Sequence, residues 1–240
     1  GGDPEGTEVS AVRPRVAMPP APRPGRWLLV VPLAIAIIAY LGAIAYLKLN
    51  ETALVYHPNE YGGRAMVAPA PELRVESVRV MSHDPGARDS LALVTWVVPA
   101  ADSATTLAAA DGYWVLVCHG NAGNISLPMR QEWTRALIAQ GVGVVSFDYR
   151  SFGASDDGPL SEQGLYRDAR AVYDWMVRER GIPRSRIIIY GHSLGSGVAT
   201  ELAANFEAAG LIIEGAFTSV PDVGAARYPW LPVRLVAGER

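Results

Sequence analysis

Residues 187–198 read Ile187-Ile188-Ile189-Tyr190-Gly191-His192-Ser193-Leu194-Gly195-Ser196-Gly197-Val198. Three isoleucines and a tyrosine without a charge make a strand buried on both faces. The chain from Gly195 onward is small and aliphatic and reads as a helix, about 196–209. Between strand and helix stands Gly191-x-Ser193-x-Gly195, a G-x-S-x-G pattern. A plain Gly-rich helix start has similar letters, but the strand before it and the helix after it favour a sharp turn that lifts a serine. At so tight a turn a Cβ on either glycine would meet neighbouring backbone. Ser193 would then sit at a strained apex with its Oγ exposed, at a helix N-terminus whose dipole favours a developing negative charge. Ser193 is therefore the candidate nucleophile.

Outward from this turn, short apolar runs recur at Tyr113–Cys118, Val142–Phe147, Arg186–Tyr190 and Leu211–Ile213. Helical stretches alternate with them, at about 129–140, 162–180 and 196–209. Strands alternating with amphipathic helices make βαβ units around a buried parallel sheet. Upstream, Leu73–Met81 and Leu91–Val98 read as two strands joined by the turn His83-Asp84-Pro85-Gly86, and the Ala-rich stretch 100–111 reads as a surface loop. The fold class expected is α/β: two antiparallel strands leading into a doubly wound, mostly parallel sheet.

His119-Gly120-Asn121-Ala122-Gly123-Asn124 follows the strand at 113–118 directly. Such a loop can be no more than a turn requiring positive φ. Its place in the element order gives it a second reading. A hydrolase of this build takes one backbone N–H of its oxyanion hole from this loop, and the other from the residue after the nucleophile. The donors expected are the amides of Asn121 and Leu194.

HGNAGN at 119–124, FDYRSFGAS at 147–155 and GHSLGSG at 191–197 together resemble the α/β-hydrolase superfamily, and more narrowly its membrane-anchored abhydrolase branch, similar to serine aminopeptidase-like and depalmitoylase-like hydrolases. LVYHP at 54–58 resembles the same branch. The likeness covers about residues 45–235 and implies Ser193 as nucleophile, with Asn121 and Leu194 as oxyanion donors. One position departs from the pattern: Ser151 stands where glycine usually follows Asp-Tyr-Arg.

Other polar residues read as structural. Asp148-Tyr149-Arg150 forms a hydrogen-bond and ion-pair group at a strand end, His192 packs, and His119 is a hydrogen-bonded core histidine. A serine nucleophile needs a base, and the base an orienting acid, in the chain order Ser, Asp or Glu, His. His57, His83, His119 and His192 all precede Ser193, and Asp222 is the only aspartate after it. Residues 215–235 read as the start of a lid. The chain opens on Gly1 rather than Met and stops at Arg240 in mid-pattern, so it reads as a C-terminally truncated piece, its sheet incomplete and its acid and base beyond Arg240. As printed it is expected to be inactive.

Half of the residues are hydrophobic, 19% are charged and the net charge is -3. No basic field favours nucleic acid. One cysteine, Cys118, excludes an intrachain disulfide and a Cys-based metal cluster, and no metal-ligand spacing occurs, so neither metal nor cofactor is expected.

Residues 1–26 hold six prolines and four glycines and read as a disordered tail. Residues 27–47, WLLVVPLAIAIIAYLGAIAYL, carry no charge. At 1.5 Å per residue they cover roughly 30 Å, the thickness of a bilayer core. A buried core helix would keep a polar face. A signal peptide cleaved near Ala43-Ile44-Ala45 is the remaining alternative, against which the length of the apolar run speaks. The reading adopted is a single-pass transmembrane helix at 27–47 followed by a hydrolase domain at 48–240. Arg13, Arg15, Arg23 and Arg26 precede the span and place the N-terminus in the cytoplasm and the domain outside it. Function is expected to be membrane-anchored serine hydrolysis of an ester or thioester, or an amide, on a small-molecule or acylated substrate. The alternative is a non-catalytic membrane-anchored binding protein on a hydrolase scaffold.

Overall fold

The computed structural model describes residue 25, residues 27–100 and 112–231, and residue 233. The tail expected over 1–26, with its four arginines, and the loop expected over 100–111 lie outside the described residues apart from Gly25 and Ala100, as does most of 232–240. The chain divides into two compact units, residues 1–43 and residues 44–240.

In the first unit the apolar run is helical. Helix α1 spans Trp27–Leu49, two residues past the expected end, and includes Pro32. With a mean hydropathy of 2.6 it is long and apolar enough to cross a membrane, and by length and composition it suits an anchor or a signal sequence.

The second unit is built on one six-stranded sheet: β1 (Glu76–Ser82), β2 (Leu91–Val98), β3 (Trp114–Cys118), β4 (Gly143–Phe147), β5 (Ile187–His192) and β6 (Gly210–Glu214). Their spatial order is β1-β2-β4-β3-β5-β6. The pairs β1–β2 and β2–β4 are antiparallel, and β3 pairs in parallel with β4 and with β5, which pairs in parallel with β6. The sheet is therefore mixed and mostly parallel. Its helices are α2 (Glu51–Val55), α3 (Pro128–Ile138), α4 (Glu162–Arg178), α5 (Leu194–Asn205) and α6 (Val220–Arg227). Leu73, expected in the first strand, instead closes a 3-10 turn over Pro71–Leu73. Proline at the first position of that turn sets φ for helix rather than strand. The residues after α1 form the short α2.

Both faces of the central strands are covered. Leu116, Cys118, Val145 and Phe147 pack with Leu165, Val172 and Met176 of α4 and Val198 and Leu202 of α5. The alternate residues Val144 and Val117 pack on the other side with Ile138 of α3. This is the period-two alternation of a strand, with an apolar partner for each parity. The α4 sequence suits its task. Ser161 caps it by accepting a hydrogen bond from the Gly164 amide, and Leu165, Ala169, Val172, Tyr173 and Met176 form one apolar stripe.

The apolar run Leu211–Ile213, in a sheet expected to be incomplete, stands at its edge as β6. Leu211, Ile212 and Ile213 are 40–45% exposed. The reason is positional: β6 is an edge strand of the described sheet, and its only pairing among the described residues is with β5.

Arg150 is the largest wholly buried side chain among the described residues. Its guanidinium is held by Asp168 at 2.8 Å and by Asp84 at 2.8 Å, from α4 and from the β1–β2 turn. Ser151, the departure from glycine, keeps a positive φ of 64°. Its hydroxyl donates to the Gly158 carbonyl at 3.0 Å and accepts from the Gly158 amide at 3.1 Å, which holds the strained loop closed.

Candidate active site

The β3–α3 connection leads to one neighbour of β3, and β4–α4 returns the chain to the other. Connections that diverge in this way open a crevice at the carboxyl ends of the strands between them. Two segments singled out in the sequence lie there: residues 119–124 after β3 and Ser193 after β5, on paired strands.

Ser193 stands between β5 and α5 with φ 52° and ψ −119°. A residue with a Cβ rarely adopts such a backbone, and the strain lifts Oγ out of the line of the strand. Three contacts hold the turn. The Ser193 amide donates to the Glu214 carbonyl at 2.9 Å, tying it to β6, and the Ser193 carbonyl accepts from the Ser196 amide at 2.9 Å and from the Ser196 hydroxyl at 2.6 Å. Close packing explains Gly195, whose Cβ would stand 2.0 Å from the Cys118 carbonyl oxygen.

The loop after β3 reaches the serine. A Cβ on Gly120 would lie 3.5 Å from the Ser193 Cβ. Leu194 is the first residue of α5, and its amide and that of Asn121 have no acceptor among the described residues. Thus the structure brings Ser193, Leu194 and the loop bearing Asn121 to one place and leaves two N–H groups available there.

None of the four histidines hydrogen-bonds Ser193 Oγ among the described residues. His57 is 3.6 Å from Glu60, His83 pairs with the Ser90 hydroxyl at 2.8 Å, and His192 packs edge-on against Trp133 with centroids 4.9 Å apart. His119 is buried, its Nδ1 lying 2.7 Å from the Gly120 carbonyl oxygen. Burial, with the nearby Arg130 charge, holds its pKa below the ordinary imidazole value. A carbonyl oxygen only accepts, so the short contact requires the proton on Nδ1, and Nε2 lies 3.4 Å from the Asp148 carboxylate. Asp222 is engaged in α6: its amide donates to the capping hydroxyl of Ser219 and its carboxylate accepts from Thr218 at 2.8 Å.

Asp148, Tyr149 and Arg150 sit behind the loop. Asp148 accepts from the Ile125 amide at 2.8 Å, and the Tyr149 hydroxyl donates to the His119 carbonyl at 3.2 Å. Burial pushes the Cys118 thiol up to about 12, so it remains a neutral packing group.

A cavity of about 890 Å³ opens beside the helix start, lined by Leu194, Val198, Leu165, Tyr56, Phe217 and Val220 among others. Burial, then the charges of Glu162 and Glu51, push the Tyr56 phenol up to about 12, so it presents a neutral hydroxyl. Sequence reading missed this contribution of α2 and Tyr56. The resemblance of 54–58 to a hydrolase branch was its only signal.

Comparison with known proteins places these features in context. Residues 115–240 match the alpha/beta hydrolase family. An uncharacterised protein of Mycobacterium tuberculosis is 36% identical over 204 residues, which are 84% of this chain and 66% of that protein. The lysophosphatidylserine lipase ABHD12 of Danio rerio is 40% identical over 128 residues, 49% of this chain and 33% of the lipase. The chain thus spans less than two thirds of the length of these curated relatives. Among solved structures, an esterase of Pyrococcus furiosus superposes with a TM-score of 0.53 at 17% identity, over 76% of this chain and 65% of the esterase. An alpha-beta hydrolase of Vibrio vulnificus gives 0.52 at 24% identity, over 81% of this chain and 68% of the other. At those identities the two superpositions speak for the shared fold.

Proposed function

The chain belongs to the alpha/beta hydrolase family, and from that premise we propose that it is an esterase-type serine hydrolase acting through an acyl-enzyme on Ser193. The observation that carries the reading is Ser193 at φ 52°, on a strand–helix turn beside the two unengaged amides of Asn121 and Leu194.

In this reaction Ser193 Oγ attacks the substrate carbonyl carbon and its proton passes to a general base. The carbonyl oxygen becomes an oxyanion and receives the N–H groups of Asn121 and Leu194, each contributing about 2.7–4 kcal/mol of transition-state stabilisation. Collapse expels the alcohol or thiol, which takes up the proton, and leaves the acyl group on Oγ. Water then attacks the acyl carbon by the same route and releases the acid.

The cavity and the relatives support a substrate class. Leu165, Leu194, Val198 and Phe217 offer an acyl chain an apolar wall in a cavity that Glu51, Glu162, Glu201 and Asp222 also line, and a relative is named as a lysophosphatidylserine lipase. An acylated small molecule or lipid ester is the substrate proposed. We read α1 as a single-pass anchor, residues 1–26 as its cytoplasmic tail, and residues 48–240 as hydrolase domain on the opposite side of the membrane.

The test is active-site labelling of the intact protein with a fluorophosphonate probe. Wild-type protein is expected to be labelled, and Ser193→Ala is not. Labelling that persists in Ser193→Ala removes the nucleophile assignment. A wild-type protein that neither labels nor turns over esters, yet binds acylated ligands, favours the non-catalytic binding protein.

A further inference from the structure

The loop that bears Asn121 is not free-standing. The chain just after α1 runs alongside it: His57 and Ala122 form a parallel β-bridge outside the main sheet. The His57 amide donates to the Asn121 carbonyl at 2.8 Å, and the Gly123 amide donates back to the His57 carbonyl at 3.4 Å. The Asn121 side-chain amide donates to the Val55 carbonyl at 3.0 Å. Farther along, the Asn124 side chain donates to the carbonyls of Gly63 and Ala65, at 3.0 Å each. The contact therefore follows the loop from 121 to 124.

From these contacts we propose that Val55–His57 is a strap that positions the oxyanion hole, and that the Asn121 side chain and the His57 backbone are positioning groups for the reaction. The inference rests on the serine-hydrolase reading above.

The argument is one of peptide planes. A trans peptide points its C=O and its N–H in opposite directions. The N–H of Asn121 shares a plane with the Gly120 carbonyl, which His119 Nδ1 holds at 2.7 Å. The next plane carries the Asn121 carbonyl, which the His57 amide holds at 2.8 Å. The plane after that carries the Ala122 carbonyl, held by Arg130 at 2.6 Å. With both planes flanking the Asn121 Cα pinned, the two dihedrals of Asn121 are fixed, and its N–H has one direction. The Val55 carbonyl holds the side chain of the same residue. Oxyanion stabilisation depends on donors fixed before charge develops, so a loop free to turn would lose part of its effect.

Local sequence prepares the strap. Pro58 disfavours helical φ/ψ at His57 and leaves it extended, as a bridge partner must be. The Tyr56 amide closes α2 on the Thr52 carbonyl at 2.9 Å, so the strap departs from a fixed helix end. Tyr56 and Val55 also line the cavity beside Leu194, which places the strap against both the donors and the acyl space.

The experiment uses the intact protein and p-nitrophenyl butyrate, with Asn121→Ala, His57→Pro and Ser193→Ala compared with wild type. Asn121→Ala keeps the backbone donor and removes only its side-chain tie, and His57→Pro removes the N–H that holds the Asn121 carbonyl. Displacing a catalytic group by about 1 Å can cost on the order of 10²-fold, so kcat is expected to fall about 10- to 100-fold in each. KM is expected to stay within about twofold, because the lost interaction belongs to the transition state. Affinity for an alkyl boronic acid, which forms a tetrahedral adduct on serine, should fall with kcat, and the unfolding midpoint of Asn121→Ala should stay near wild type. If His57→Pro does not fold, Asn121→Ala decides. Wild-type kcat in the folded strap variants, with Ser193→Ala inactive, overturns the strap and leaves the hydrolase reading standing. A raised KM at unchanged kcat overturns it as well. Undiminished turnover by Ser193→Ala removes the assignment of Ser193 as nucleophile, and the strap with it.

Discussion

Gly195 lies directly beneath the end of β3: a Cβ on it would stand 2.0 Å from the Cys118 carbonyl oxygen and 2.6 Å from that of His119. Backbone on both sides makes the clash hard to relieve, and moving α5 away would displace Ser193. Gly195→Ala is expected to destabilise the protein by about 3 kcal/mol, the upper end of ordinary overpacking. Denaturant unfolding checks this, and a loss below about 1 kcal/mol would show that α5 can shift without harm.

Strain at the serine is measurable separately from chemistry. With φ 52° and ψ −119°, alanine at 193 keeps the unfavourable backbone and glycine relieves it. Ser193→Gly should therefore be more stable than Ser193→Ala by about 1 kcal/mol, after the greater chain entropy of glycine is subtracted. Equal midpoints for the two variants would mean that the turn stores no strain.

Acid should weaken the fold through Asp84. Hydrogen bonds, first from Arg150 and then from Arg167, lower its pKa from 3.8 to about 2. A carboxylate whose folded pKa is depressed stabilises the fold above its unfolded pKa, and loses that contribution as pH falls through the folded value. The window runs from about pH 4 down to about pH 2. Asp84→Asn should lower stability at neutral pH and flatten the slope across that window. An unchanged slope in unfolding midpoint against pH would count against the linkage.

Asp168 and Arg150 are both fully buried, 2.8 Å apart. Removing one partner leaves the other charged and desolvated, which costs about 3–5 kcal/mol. Asp168→Ala is expected to fall in that range by chemical denaturation, with loss of soluble protein at 37 °C as the coarser sign. A loss below about 1 kcal/mol would show that Asp84 alone satisfies the guanidinium.

The anchor reading predicts sidedness. Arg13, Arg15, Arg23 and Arg26 precede the apolar run and only Lys48 follows it closely. In intact spheroplasts an added protease should reach residues 60–240 from outside. Digestion that requires opening the cytoplasmic side would reverse the orientation, and a mature protein lacking residues 27–47 would identify a signal peptide instead.

Sequence alone determined the periodic features: the apolar runs of β2, β3, β4 and β5, the amphipathic α4 and the apolar helix α1. Side-chain periodicity is local and needs no knowledge of partners. It also marked Ser193, because a G-x-S-x-G turn between strand and helix leaves a serine little choice of place. Helix ends were less legible. The helix expected at 196–209 begins at Leu194 and stops at Asn205, since its start is set by the strained turn rather than by composition. The exposure of β6 depends on which strands flank it, and the tie between His57 and Asn121 joins residues 64 positions apart. Such contacts are made by backbone amides and carbonyls that every residue carries. Side-chain patterns therefore cannot announce them, and only the folded chain brings the two segments within hydrogen-bonding distance.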